Sequence, residues 1–365
     1  MKADFCALAN PYIRSLTPYQ PGKPIEEVER ELGLSSIIKL ASNENPLGAS
    51  PIALSAAQKA LAKAHIYPDG GCYELKHALG SLLKVQPVQI TMGNGSENVL
   101  EIIMKAYLTQ GHSAVVSQYA FLTIPLLIKS YGATMITVPA KNYSHDIDKM
   151  IAAVTDTTRM LFIVNPNNPT GTYTTDSDLR HLLESIPEHV LVVVDEAYRE
   201  YINRVDYPDT LQLLNHYPNL IITRTFSKAY GLAALRLGYA ISSEQIADIL
   251  NRARLPFNVN SVAAAAGVAA LSDKMHILKS IELNDQGMQQ LLEGLKNLNV
   301  DMIPSLGNFI TIDTKQNASD VYQKLLKQGV IVRPLGAYEM PRHIRVTIGT
   351  FEENDRFLQA FKEVL

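Results

Sequence analysis

The chain has 365 residues, of which 47% are hydrophobic and 19% charged, so it can bury a sizeable core and is not a disordered chain. Its 33 lysine and arginine residues against 36 aspartate and glutamate residues give a formal charge of −3, which argues against the broad basic surface of proteins that bind nucleic acid or anionic membranes. The two cysteines, Cys6 and Cys72, are too few for a disulfide framework or a thiolate metal site. Any anion must therefore be bound by a few placed groups.

The start of the chain carries no visible export or membrane signal. A five-residue apolar run ends before Asn10 and Pro11, which is too short for the core of a signal peptide. The longest uncharged stretches, 106–128 and 255–272, contain polar residues and fall short of the ~20 consecutive apolar residues that span a bilayer. We expect a cytoplasmic protein without a membrane segment.

Strand and helix patterns alternate through the first two thirds of the chain. Helical patterns at 96–108, 121–130 and 176–185 separate most of the apolar, β-branched runs. Those runs lie at 88–92, 114–117, 134–138, 159–164, 190–194, 220–225 and 237–241. Such alternation predicts an α/β fold with a mostly parallel central sheet, and ligand-binding groups then gather at the carboxyl ends of the strands.

The pattern changes after about Pro256. An alanine-rich stretch leads into an amphipathic segment, 273–298, and a closing helix starts near Glu352. Three short strands are predicted between them, at 309–313, 330–333 and 344–348. We expect a large domain over 44–255 and a smaller α+β domain formed by 256–365 together with 1–43.

Two turns that follow predicted strands have the composition of ligand-binding loops. In the segment 92–98, Gly93 and Gly95 allow backbone amides to turn inward, and the N-terminus of the next helix favours an anion. This loop lacks the glycine pattern of a dinucleotide site and the lysine of a nucleotide P-loop. In 165–171, two prolines and three asparagines form a rigid turn that can direct amide side chains at a ligand; each turn alone could equally be structural.

Two further segments carry charged residues at strand ends. Asp195 ends an apolar strand, which is costly for a carboxylate without a partner, and Tyr198 follows three residues later on the same side of a helical turn. Lys228 has small and apolar neighbours that can lower its pKa and make its amine nucleophilic. Arg236 can bind a phosphate through two nitrogens. A metal site is disfavoured, because the nine histidines show no paired spacing.

These groups together match the requirements of one cofactor, pyridoxal 5'-phosphate. Its aldehyde needs a lysine, its ring nitrogen a carboxylate that keeps it protonated, its phenolate oxygen hydrogen-bond donors, and its phosphate an amide-lined loop and a cation.

The motifs SNENPLG, YPDG, NPNNPTG, DEAY and SKAYGLAALRLGY, in this order, resemble the fold-type-I pyridoxal-phosphate-dependent aminotransferases. More narrowly, they are similar to the branch that acts on histidinol phosphate, and the opening and ending of the chain extend the resemblance over nearly its whole length. The resemblance implies an aminotransferase that interconverts L-histidinol phosphate and 2-oxoglutarate with imidazole-acetol phosphate and L-glutamate, in histidine biosynthesis.

The resemblance also implies roles for individual residues. Lys228 is the expected Schiff-base lysine and proton-transfer base, Asp195 the partner of the ring nitrogen, and Tyr198 with Asn168 the partners of the phenolate oxygen. Tyr119 is expected to stack on the ring. The phosphate is expected to contact the backbone amides of Ser96 and Glu97, the side chains of Thr225, Ser227 and Arg236, and Tyr67 of a second subunit.

A phosphate site shared between subunits implies a homodimer. On the substrate side the resemblance points to Tyr19, Asn43, Arg333 and Arg345, the last being the arginine that grips carboxylates in general aminotransferases. The stretch 120–125 departs from the family's usual proline-rich aromatic turn, which leaves the substrate contacts there open.

Three alternatives remain at this point: an aromatic amino-acid aminotransferase, a threonine-phosphate decarboxylase of the same fold, and a cofactor-binding regulatory module without turnover. The last usually carries a basic DNA-binding extension, which this N-terminus does not resemble.

Overall fold

The structure, a computed structural model, describes residues 3–18 and 22–365. Its strands are β1 Ile38–Lys39, β2 Ile90–Gly93, β3 Ser113–Ser117, β4 Thr134–Val138, β5 Thr158–Val164, β6 Leu191–Asp195, β7 Leu220–Thr225, β8 Gly238–Ser242, β9 Asp301–Ile303, β10 Phe309–Asp313, β11 Val330–Ile331, β12 Arg333–Pro334 and β13 His343–Thr347. Its helices are α1 Phe5–Leu8, α2 Pro11–Arg14, α3 Ile25–Leu32, α4 Pro51–Leu61, α5 Tyr73–Leu83, α6 Ser96–Tyr107, α7 Thr123–Ser130, α8 Ile147–Ala152, α9 Asp176–Ser185, α10 Thr210–Leu213, α11 Glu244–Ala253, α12 Ser261–Ser272, α13 Lys274–Asn297, α14 Ala318–Lys327 and α15 Phe351–Val364.

A seven-stranded sheet forms the centre of the fold, in the order β2-β8-β7-β6-β5-β3-β4. All neighbouring pairs are parallel except those of β8, which runs antiparallel to both β2 and β7. This confirms the predicted α/β fold with a mostly parallel sheet, and every one of the seven predicted strands is present within one or two residues of its expected bounds.

The middle strand β6 shows why these apolar runs become buried strands. All five of its residues are buried. Leu191 and Val193 pack into one hydrophobic core, whereas Val192 and Val194 pack into another. Successive side chains point to opposite faces of a sheet, and here helices cover both faces, so the strand is apolar throughout until Asp195 ends it.

A second, antiparallel sheet of four strands lies in the C-terminal third, in the order β12-β13-β10-β9. Its core includes residues of α13, α14 and α15. The closing helix α15 begins at a capping box in which Thr350 and Glu353 bond each other's backbone amides, which fixes its start where the sequence indicates.

The first forty residues reach this C-terminal region through β1. Ile38 and Lys39 pair in parallel with Val330 and Ile331. The single strand predicted at 330–333 was wrong in this respect, because the segment divides into β11, which pairs with β1, and β12, which pairs with β13. The strand β9 was not predicted; its three residues are too few to show a period.

Candidate active site

A cavity of about 500 Å³ opens at the carboxyl ends of the central strands β5, β6 and β7. It also receives residues from β12 and β13 of the four-stranded sheet. Twelve of the fifteen site residues predicted from the sequence line it: Asn43, Ser96, Glu97, Asn168, Asp195, Tyr198, Thr225, Ser227, Lys228, Arg236, Arg333 and Arg345.

Lys228 follows β7 by three residues and lies partly buried in this cavity. Its Nζ donates a hydrogen bond to the backbone carbonyl of Ser42 at 3.0 Å and lies 5.9 Å from the ring centroid of Tyr198. Burial, helped by the positive charge of Arg345, lowers the pKa of Lys228 to about 8. Because only the neutral amine is nucleophilic, this environment prepares the lysine for reaction near neutral pH.

Asp195 stands at the end of β6 and is 4% exposed. Its Oδ1 accepts a hydrogen bond from Thr223 Oγ1 at 2.9 Å. Burial is the main reason that the pKa of Asp195 is raised to about 6, and the nearby carboxylates of Glu196 and Glu97 raise it further. A carboxylate in this position is stabilised by a cationic ligand.

The N-terminus of α6 meets Arg236 at one wall of the cavity. The helix begins at Ser96, directly after Gly95 in a left-handed conformation with φ of 84°. This backbone favours glycine, and a Cβ atom on Gly95 would lie 2.5 Å from Arg236 Nη2 and displace the guanidinium. Arg236 Nη1 contacts Ser227 Oγ at 3.4 Å, and its Nη2 contacts the Glu97 carboxylate at 3.4 Å. Guanidinium, hydroxyl and helix N-terminus together favour a phosphate.

Two side chains that line the cavity are oriented by their neighbours. Asn168 Oδ1 accepts a hydrogen bond from Arg345 Nη1 at 2.5 Å, which leaves its Nδ2 as the donor toward a ligand. Tyr198 accepts a hydrogen bond at its hydroxyl oxygen from Asn43 Nδ2 at 2.8 Å. Its ring packs edge-on against Phe309, which fixes the phenol in place.

The two predicted substrate arginines are direct cross-strand neighbours, since Arg333 on β12 is in register with Arg345 on β13. Arg345 is 7% exposed, and its second Nη donates to the Ala41 carbonyl at 2.7 Å. Its hydrogen-bond partners in the described part of the chain are neutral oxygens, and its buried Nε has none. Like charges placed opposite each other are unfavourable, so this end of the cavity is suited to an anion.

Two predicted residues of the described ranges do not line the cavity. Tyr119 lies outside it, with its ring 5.9 Å from that of Tyr143, and its stacking role stays a prediction. Tyr67 is 80% exposed and stacks on Phe257 at 4.9 Å. Tyr19 falls outside the described residues.

Nine lining residues were not predicted from the sequence: Gly22, Ala41, Ser42, Glu44, Phe121, Val164, Ala197, Ala233 and Ala234. Phe121 brings an aromatic ring to the wall two residues after the predicted Tyr119, and the strand-to-helix position of both residues was the available signal. Ser42 acts through its carbonyl, which the identity of a side chain cannot reveal.

The donor set fits the predicted pyridoxal phosphate. The buried Asp195 suits a cation such as a protonated ring nitrogen, and the loop before α6 with Arg236 has the groups that favour a phosphate. The same cavity contains the amine of Lys228, and the Tyr198 hydroxyl and the Asn168 amide are of the type that suits a ring oxygen.

The described ranges contain neither a candidate metal site nor a candidate membrane-spanning helix. No three histidine, cysteine, aspartate or glutamate side chains there come together as a metal site would require. Among the same residues, no helix combines the length and apolar character needed to cross a membrane.

Comparison with known proteins gives one family. The profile described as aminotransferase class I and II matches residues 35–361. The chain is 53% identical to histidinol-phosphate aminotransferase 2 of Pseudomonas fluorescens, over 100% of this chain and 99% of that protein. It is 51% identical to histidinol-phosphate aminotransferase 2 of Pseudomonas aeruginosa, with the same coverage of both.

Solved structures agree in fold. Histidinol-phosphate aminotransferase from Sinorhizobium meliloti, crystallised in complex with pyridoxal 5'-phosphate, superposes with a TM-score of 0.90 at 28% identity, covering 98% of this chain and 97% of that one. A double mutant of aspartate aminotransferase from Thermus thermophilus superposes with a TM-score of 0.86 at 22% identity, covering 98% and 99%. The second likeness concerns the fold alone.

Proposed function

The chain belongs to the class I and II aminotransferases, and from this membership and the geometry of the cavity we propose that it is a pyridoxal-phosphate-dependent histidinol-phosphate aminotransferase. It interconverts L-histidinol phosphate and 2-oxoglutarate with imidazole-acetol phosphate and L-glutamate, a step of histidine biosynthesis. Relatives with this name, at 51–53% identity over essentially the full length, support the substrate.

One observation carries the proposal: a single cavity holds an amine of lowered pKa, a buried carboxylate and a buried guanidinium whose hydrogen-bond partners are neutral. These are Lys228, Asp195 and Arg345. An amine for covalent attachment, a carboxylate for a ring cation and a guanidinium for a substrate anion are what amino-group transfer with this cofactor requires.

When bound, pyridoxal phosphate supplies an aldehyde that takes up the amino group and an electron-withdrawing ring that stabilises negative charge at the substrate carbon. Asp195 holds a proton at the ring nitrogen, because its own buried charge needs a cation. Tyr198 and Asn168 donate to the ring oxygen. Arg236, with the hydroxyls of Thr225 and Ser227 and the backbone amides of Ser96 and Glu97, binds the phosphate.

Lys228 has two tasks. Its neutral amine would be the nucleophile that attaches the cofactor. Once the substrate has displaced it, the same amine would move a proton from the substrate carbon that bears nitrogen to C4′ of the cofactor, and back in the other half-reaction. A pKa of about 8 suits both tasks, since the amine is partly neutral at physiological pH.

Arg333 and Arg345 bind the anionic ends of the substrates. L-histidinol phosphate carries a phosphate and no carboxylate, whereas glutamate carries two carboxylates, so the same pair of guanidinium groups meets different anions in the two half-reactions. Their cross-strand register provides the paired positive charge that either anion needs.

The organisation of the molecule follows from the same proposal. The large domain comprises 44–255, and 1–43 with 256–365 form the smaller one. Tyr67, which is exposed on its own chain, reaches the phosphate site of a second copy in this proposal, so the active form is a homodimer. Its proposed compartment is the cytoplasm. Tyr19, Asn43 and Tyr119 are further proposed contacts of the substrate or the cofactor.

The test is a comparison of kcat/KM for L-histidinol phosphate, L-phenylalanine and L-threonine phosphate, each with 2-oxoglutarate and the purified holoenzyme. We expect L-histidinol phosphate to be preferred. A preference for phenylalanine would contradict the proposed substrate but not the proposed amino-group transfer. Release of carbon dioxide from threonine phosphate without glutamate formation would contradict both the substrate and the reaction.

A further inference from the structure

A threonine of β13 contacts Asn43, a lining residue, but does not itself line the cavity. Thr347 lies two residues beyond Arg345, so both side chains leave the strand on the same face. Thr347 is 3% exposed. Its Oγ1 accepts a hydrogen bond from the backbone N–H of Asn43 at 2.9 Å and donates one to Asn43 Oδ1 at 3.3 Å.

This pair of contacts determines which way the Asn43 amide points. Asn43 is 1% exposed and has a left-handed backbone with φ of 55°, and Asn308 Nδ2 donates to its carbonyl at 3.0 Å. Because the threonine hydroxyl occupies Oδ1, the Nδ2 group faces Tyr198 and donates to its hydroxyl oxygen at 2.8 Å. Without that hydroxyl, either end of the amide could face the phenol.

The bond from Asn43 affects the phenol in two ways. It occupies a lone pair of the Tyr198 oxygen, which directs the O–H hydrogen of Tyr198 away from Asn43. A phenol that accepts a hydrogen bond is also a stronger donor, because hydrogen bonds in a chain polarise one another. Both effects favour donation from Tyr198 to a group in the cavity.

We propose that Thr347 is a positioning residue for the cofactor, which acts through the Asn43 amide to orient and strengthen the hydrogen bond that Tyr198 donates to the ring oxygen. This inference rests on the proposed function, which supplies the ring oxygen. It also ties both ring-oxygen donors to one strand, since Arg345 of β13 holds Asn168 by a separate hydrogen bond.

The spectrum of the holoenzyme tests this proposal independently of turnover. Donation to the ring oxygen stabilises the form of the lysine-bound cofactor that carries negative charge there, so a weaker donor keeps the protonated form to higher pH. The readout is the pH midpoint of the cofactor's visible absorption band. Thr347→Val should raise this midpoint by about half to one pH unit, equivalent to the loss of one neutral hydrogen bond.

Matched variants separate positioning from a structural effect. Thr347→Ser keeps the hydroxyl and should restore the wild-type midpoint. Thr158 is equally buried and accepts a backbone N–H, from Thr155, at 2.9 Å, but it lies at the opposite end of the central strands. Thr158→Val should therefore leave the midpoint unchanged.

Tyr198→Phe separates the role of Tyr198 as a hydrogen-bond donor from the role of Thr347 as a positioning residue. It should raise the midpoint more than Thr347→Val does, and adding Thr347→Val to it should produce no further rise. A shift with Tyr198→Phe but none with Thr347→Val overturns the role of Thr347 alone. No shift with Tyr198→Phe overturns the role of Tyr198 and the inference with it.

If Thr347→Val does not fold, Asn43→Gly is the alternative variant, since glycine tolerates the left-handed backbone at this position. It removes the amide that connects Thr347 to Tyr198. It should raise the midpoint similarly, and a wild-type midpoint in that variant overturns the proposal.

Discussion

Replacing Asp195 by asparagine should stabilise the cofactor-free protein while destroying its activity. Burial raises the pKa of Asp195 from its ordinary value of 3.8 to about 6. A carboxyl group whose pKa is raised on folding stabilises the protein fully below its unfolded pKa and loses that contribution as the pH rises through the folded value. Because the pKa rises by about two units on folding, the ionised carboxylate lowers the free energy of unfolding of the wild type by about 3 kcal/mol at high pH. Asparagine has no charge and does not carry this cost.

A second effect of asparagine offsets part of the stabilisation that comes from removing the buried charge. The asparagine oxygen keeps the hydrogen bond from Thr223, but its buried NH₂ group can lack an acceptor, which costs about 1 kcal/mol. The expected net stabilisation at pH 8 is therefore about 2 kcal/mol. The difference between the two proteins is more informative than either value, because it should grow by about 2 kcal/mol between pH 4 and pH 7 while all other groups cancel.

The assay is urea unfolding of the cofactor-free wild type and Asp195→Asn at matched protein concentration, repeated across this pH range. Pyridoxal phosphate should then reverse the order, because the wild-type carboxylate gains a ring cation and the amide does not. A constant stability difference across the pH range, or a variant less stable than the wild type at pH 8, would refute the electrostatic reasoning for Asp195.

Three further predictions concern the same cavity. Gly95→Ala should weaken cofactor binding at least about tenfold, because the added methyl group meets the guanidinium of Arg236. The control Gly111→Ala has similar backbone strain, at φ of 92°, but its methyl group has no neighbour within 4 Å, so this variant should bind the cofactor normally. A cofactor titration compares the two variants. Arg345→Lys keeps the charge but loses the planar guanidinium, whose two Nη atoms bond Asn168 and the Ala41 carbonyl and which can bind a carboxylate through two nitrogens. The kcat/KM for glutamate should therefore fall by about 100-fold, and an unchanged value would mean that the substrate anion binds elsewhere. The rate at which cofactor-free protein takes up pyridoxal phosphate should rise with pH and level off above about 8, the pKa of Lys228; a rise continuing to 10 would show that burial does not tune this amine.

The sequence was sufficient for the central sheet because its signals are local. Apolar runs such as that of β6 are long, buried on both faces and ended by a polar residue, so pattern and position agree. Short strands with distant partners are different. β1 has two residues and pairs with β11, almost three hundred positions away, and neither strand has enough residues to show a period.

The candidate site shows the same limit. Side chains such as Lys228 and Asp195 could be identified because their chemistry is unusual at a strand end. The contact of Thr347 with Asn43 joins residues 304 positions apart, and the carbonyl of Ser42 acts whatever its side chain is. Such contacts depend on how the fold brings backbone groups together, which composition and spacing do not specify.

The most direct test of the account is to locate the lysine that carries the cofactor. The holoenzyme is reduced with borohydride, which makes the lysine–cofactor bond permanent, and the digested protein is analysed by mass spectrometry. We expect the added mass on the peptide that contains Lys228 and its loss in Lys228→Ala. Label on any other lysine, or the same label in the variant, would contradict the assignment of this cavity as the active site.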